Sequence, residues 1–173
     1  MAMKTKFKRI ILHWTAGTDR PNAHDKQCYH YLIDSRGFIT NGVYPPEANL
    51  DCKDGVYAAH TGGGNTGSIG VALCGMKDFS YPSKYTPFPI TKLQLETAFS
   101  FVAKLCVKYD LEVNKDTVLT HYEFGQLNPK TSSHSKIDII YMPPYPAVHK
   151  YQVGEFIRQK ICWYVERLET ENR

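Results

Sequence analysis

At 173 residues the chain is the size of one ordinary domain, and with 42% apolar against 22% charged residues it can bury a core and is no disordered tail. Its net charge of +4, with seven histidines counted neutral, suits an anionic partner, but Lys and Arg are scattered and only Lys4–Arg9 is a dense run, which lends nucleic-acid binding little support. The apolar run of the basic N-terminus is only Ile10, Ile11 and Leu12, short of the about 7–15 residues of an export signal, and nothing approaches the roughly 18–20 needed to cross a bilayer.

In chain order, Lys8–His13 reads as a first strand, an apolar run ending on a histidine. Tyr29–Asp34 and Phe38–Val43 read as two strands joined by the turn Asp34-Ser35-Arg36-Gly37, with glycine where a positive φ is easiest. Tyr57–His60 is a short strand candidate, Thr61–Gly67 a glycine-rich loop, and Ser68–Cys74 a strongly apolar, buried strand. Between Thr91 and Tyr109 the pattern predicts a helix: Thr91 and Gln94 form a capping box, and apolar residues recur at 95, 98, 99, 102, 105, 106 and 109. Leu93, Phe101, Ala103 and Val107 widen that face, so the helix should pack on more than one side. Val118–His121 is another short strand ending on a histidine. Tyr141–Pro146 is a proline-stiffened connector, and a second helix is predicted from Gln152 to Glu169 with Val153, Phe156, Ile157, Ile161, Tyr164, Val165 and Leu168 as its buried stripe. This order implies an α/β fold: one domain over 1–173 with a mixed central sheet flanked by helices. The five cysteines (28, 52, 74, 106 and 162) contain no CxxC pair, so neither a disulfide framework nor a cysteine zinc site is expected; Cys106 and Cys162 lie on apolar helix faces.

His13 and His121 each close a strand, and strand ends on one sheet edge bring distant side chains together. Two imidazoles and one further donor make a hydrolytic zinc site, whose fourth position is left for water. Asp138 in Ser135-Lys136-Ile137-Asp138-Ile139 offers a carboxylate, and Lys136, two residues earlier in an extended segment, would point the same way.

These pieces resemble, in order, the zinc amidases of the amidase type 2 and peptidoglycan recognition protein family, and especially phage endolysins of N-acetylmuramoyl-L-alanine amidase type. The resemblance runs from about Arg9 to Asp138: Ile11-Leu12-His13-Trp14-Thr15-Ala16-Gly17, Tyr29–Asp34 with its glycine turn, Ala59-His60, Asn65 with Ser68–Val71, the long helix, Thr120–Glu123, and Lys136-Ile137-Asp138. It implies zinc as cofactor, His13, His121 and Asp138 as its ligands, Tyr29 and Lys136 as catalytic residues, and His60, Trp14 and Asn65 beside the substrate. Its implied substrate is the amide between N-acetylmuramic acid and L-alanine in bacterial peptidoglycan. Where some members carry a glutamate on the Ile-Gly strand this chain has Ala72, which shifts weight to the tyrosine. Asp138 follows His121 by 17 positions, and the insert Gln126–Ser135 leaves His134 as a rival third ligand.

Other readings stay open. Tyr29 is either a base or an orienting group, Trp14 either groove or core, and Glu123 either a support for His121 or a solvated loop residue. His24, His30 and His149 default to packing or surface roles. A non-catalytic peptidoglycan-binding module would lack a ligand, whereas here all candidates are present; a peptidase of the His-Glu-x-x-His type finds no such helix. A monomer is expected, held in the cytoplasm until it reaches the wall, as an endolysin would be; a cytoplasmic enzyme recycling wall fragments would look similar.

Overall fold

The computed structural model describes residues 7–172, so the basic run beginning at Lys4 lies partly outside the described residues. The elements follow as β1 (Arg9–Trp14), α1 (Ala23–Cys28), β2 (Tyr31–Ile33), β3 (Ile39–Asn41), β4 (Ser68–Leu73), α2 (Lys92–Tyr109), β5 (Val118–Thr120), α3 (His121–Leu127) and α4 (Val153–Glu171), with 3-10 turns at Pro46–Leu50 and Ser132–Ser135. They build one mixed sheet in the order β3-β2-β4-β1-β5, parallel throughout except for the antiparallel β2–β3 hairpin. The single-domain, helix-flanked mixed sheet expected from sequence is what the chain forms.

Alternation along the strands decides what faces where. Ile10, Leu12 and Trp14 of β1 and Ile69, Val71 and Leu73 of β4 join the main core with α2 and α4. The opposite face presents His13, Gly70 and Ala72, with His13 paired in register to Ala72. One face of the sheet is thus core and the other presents His13.

Helix α2 starts where its capping box predicts, and buried Gln94 does more than cap it: its amide donates to the carbonyls of Ile33 and Cys74 at 2.8 Å each, fastening the helix across β2 and the end of β4. Three sequence expectations are corrected. Tyr57–His60 is not a strand: its backbone bonds to asparagine side chains, Ala58 to Asn49 and His60 to Asn65, so it needs no neighbouring strand. The run Phe38–Val43 pairs only over Ile39–Asn41. His121 does not close β5 but opens α3, where Thr120 caps the helix through a box with Glu123.

Candidate active site

The sheet's non-core face opens into a cleft of about 560 Å³ whose lining includes Tyr29, His60, Asn65, His121, Lys136 and Asp138. His13 lies behind its floor near the C-terminal end of β1, while His121 enters from the β5–α3 junction and Asp138 from a coil tied to α3 by the bond from Tyr122 N–H to the Asp138 carbonyl at 2.7 Å. All three side chains are buried. His13 Nδ1, His121 Nδ1 and Asp138 Oδ2 form a near-equilateral triangle with edges of 3.1, 3.0 and 3.1 Å. Atoms sharing one zinc at about 2.0–2.2 Å come roughly this close to one another.

Hydrogen bonds alone do not account for the triangle. The Ser133 hydroxyl donates to the Gly62 carbonyl at 2.8 Å, so it accepts from His121 Nε2–H at 2.9 Å. In a neutral imidazole this leaves His121 Nδ1 as a bare lone pair. On the other side His60 Nε2 donates to the Ser68 carbonyl at 3.2 Å, so its Nδ1 carries a single lone pair, shared between His13 Nε2–H at 3.1 Å and the Thr61 hydroxyl at 2.7 Å. His13 Nδ1 is then bare as well. These tautomers are assigned from the hydrogen-bond partners. Two lone pairs and a carboxylate converging on one point repel one another unless a cation sits between them, and two nitrogens with one carboxylate oxygen is a donor set for zinc.

The electrostatics agree. Burial pushes the His13 imidazole down to about 4 against the opposing pull of Asp138, so His13 is neutral at physiological pH. Burial, and then the Asp138 charge, pushes the Tyr29 phenol up, so Tyr29 keeps its proton. Its ring lies 5.1 Å from that of His13. Lys136 is exposed at the cleft wall, and its charge is felt at His13. Ala72 offers no proton-transfer group at the point where it pairs with His13.

Of the residues placed beside substrate by resemblance, none is simply a groove residue. His60 is buried behind His13, and a Cβ on Gly70 would overlap its ring, so the glycine is there to make room. Trp14 belongs to the core and packs edge-on to Phe79 while still lining the cleft. The Asn65 side-chain carbonyl Oδ1 is spent accepting from the backbone amides of His60 and Thr61 at 3.0 and 2.8 Å. His134 is exposed on the Ser132–Ser135 turn and stands outside the triangle; the insert's contribution is its neighbour Ser133, which no motif in the sequence marked. Glu123 neither touches the His121 ring nor merely meets solvent: it caps α3 through Thr120 N–H and pairs with Arg158. His30, left to a packing role, is buried and holds Asn49 and the Gly70 amide at 2.9 Å each.

Comparison with known proteins adds to this geometry. No curated protein sequence matches the chain. Among solved structures the fold is similar to Staphylococcus aureus hydrolase AmiA in complex with its ligand (TM-score 0.57, 14% identity, 96% of this chain and 77% of that one). It is also similar to N-acetylmuramyl-L-alanine amidase AmiD from E. coli, solved with anhydro-N-acetylmuramic acid-L-Ala-D-gamma-Glu-L-Lys (TM-score 0.54, 14% identity, 92% of this chain and 59% of that one). At these identities the likeness is one of fold. The family profile described as N-acetylmuramoyl-L-alanine amidase matches residues 3–138, from before β1 to the third donor of the triangle. With most of its length inside that match, the chain belongs to the N-acetylmuramoyl-L-alanine amidase family.

Proposed function

We propose that the chain hydrolyses the amide between N-acetylmuramic acid and L-alanine in bacterial peptidoglycan with a zinc ion held by His13 Nδ1, His121 Nδ1 and Asp138 Oδ2. The observation that carries this reading is the buried triangle of two bare imidazole nitrogens and a carboxylate opening on a cleft, in a chain of the amidase family. Zinc bound there supplies Lewis acidity, polarising the amide carbonyl and making water acidic enough to attack near neutral pH. His60 and Ser133 hold the two imidazoles with their protons turned away from the metal side. Asp138 contributes a negative charge that partly balances the cation. Tyr29, kept protonated by burial, donates toward the substrate carbonyl or the leaving nitrogen, and Lys136 brings positive charge to the cleft wall where the oxyanion develops.

The biological role proposed is that of a phage or prophage endolysin acting on the wall, as the resemblance of its ordered motifs implies. No helix among the described residues is long and apolar enough to cross a membrane. The test incubates purified protein with cell walls, with and without a chelator, and follows new amino groups against new reducing sugar ends. Amino groups should appear alone and vanish on chelation. Reducing ends, or release that survives chelation in zinc-free protein, would overturn the assignment.

A further inference from the structure

The cleft does not end at its lining. Phe79 forms part of its wall, packs against Trp14 and stacks on Tyr141 with ring centroids 5.9 Å apart. The Lys84 ammonium lies 5.3 Å from the Tyr141 centroid and 5.7 Å from that of Tyr81. Lys150 continues the run, 5.6 Å from Tyr81 and 5.0 Å from Tyr151. The rings come from two segments far apart in sequence, the β4–α2 loop and the stretch preceding α4, which meet at the surface. Tyr81 and Tyr151 remain 42% and 71% exposed, which leaves their rings open to a ligand beside the cleft. Among the described residues neither Lys84 nor Lys150 forms an ion pair, so both ammonium groups are left uncompensated for an incoming anion.

We propose that this tyrosine–lysine shelf is a second contact for polymeric peptidoglycan, gripping the strand beyond the bond being cut. The proposal rests on the amidase reading and narrows it. A cleft of about 560 Å³ suits one small ligand, and a polymer occupying it must continue outside. The shelf is continuous with the cleft through Phe79 and carries the matching chemistry: sugar rings offer C–H faces to the tyrosine rings, and stem peptides offer carboxylates to the lysines. Tyrosine suits such a surface because it gives rigid, amphipathic area at low entropic cost. The shelf then adds binding for the polymeric wall that small soluble fragments, held by the cleft alone, do not receive.

The test compares wild type with Lys84→Ala/Lys150→Ala and Tyr81→Ala/Tyr151→Ala on two substrates: insoluble walls stripped of phosphate-containing polymers, and a soluble N-acetylmuramoyl tripeptide. Each double variant should lose about tenfold in cleavage of walls and in co-sedimentation with them, as two lost contacts of this kind imply, while cleavage of the tripeptide stays unchanged. Raising ionic strength should weaken wild-type co-sedimentation and affect the lysine variant less. Wall activity retained by both variants, an equal loss on both substrates, or wild-type co-sedimentation with unstripped walls but not with the stripped ones would each overturn the proposal. If the tyrosine pair lowers the melting temperature, the lysine pair decides alone. If wild type cuts neither substrate the amidase reading has failed, and co-sedimentation still decides the shelf.

Discussion

Ser133 and His60 settle where the ring protons of His121 and His13 reside before any metal arrives. A ligand whose second nitrogen is anchored loses little freedom on binding, and partners of this kind are worth roughly 10–100-fold in metal affinity. Ser133→Ala removes the acceptor for His121 Nε2–H, so zinc affinity measured by competition with a chromophoric chelator should fall by about that factor. The melting temperature of the zinc-free protein serves as the control for folding, and unchanged affinity would mean that Ser133 does not hold the ring. The cleft residues should behave differently. Lys136→Ala and Tyr29→Phe are expected to keep zinc and lose on the order of 100-fold in turnover, the size of one lost charge-stabilising contact, whereas His13→Ala should lose zinc and activity together. Metal content assayed beside activity separates the two classes, and a fully active Lys136→Ala would remove that residue from the mechanism.

The element that carries His121 is itself held from outside the family match. Glu123 closes the cap of α3 by accepting from Thr120 N–H at 3.0 Å, and Arg158 of α4 holds both its oxygens, each at 3.0 Å, while also donating to the Val118 carbonyl of β5. A Cβ on Gly154 would overlap the Glu123 carboxylate, so that glycine gives the acid its seat against α4. Arg158→Leu should destabilise by about 3 kcal/mol, the low end for breaking a buried pair because Glu123 keeps some solvent access, and adding Glu123→Gln should recover part of the loss. Denaturant unfolding of the single and double variants checks this, and strict additivity would show that the pair is not coupled. How much of this was legible follows from the same element. Strand β1 and helix α2 were readable because their apolar periodicity is long and, for α2, carries a capping box. Helix α3 was misread as a strand end, although Thr120-x-x-Glu123 is a capping box too, because seven residues containing a glycine give no helical period. Arg158 was invisible, since its meaning lies in a contact across 35 residues.

Across the whole molecule, one sheet face is filled by α2 and α4, while the other supports a row of imidazoles, with His30, His60, His13 and His121 in ring contact in that order. Sequence order could suggest that His13, His121 and Asp138 meet, because strand and coil ends share an edge. It could not show His30 and His60 packed ring to ring behind them, because His30 sits just ahead of β2 with its ring held by Asn49, and His60 lies in irregular backbone held by Asn65, neither contact carrying a sequence pattern. Burial pushes His13 and His30 to about 4, and burial together with the neighbouring imidazoles holds His60 well below the ordinary value. In the unfolded chain these groups titrate near 6.5. Their depressed folded values mean that the stability of zinc-free protein is complete above about pH 6.5 and falls as pH drops toward 4, by on the order of 3 kcal/mol for each of His13 and His30. In a chain of this size that corresponds to a melting temperature lower by roughly 10 °C or more. Protons and metal compete for His13, so zinc-saturated protein should hold its melting temperature to lower pH than chelated protein does. Melting curves of the chelated protein between pH 7 and 4 make the check, and a flat profile would show that the imidazole row is not buried in its neutral form.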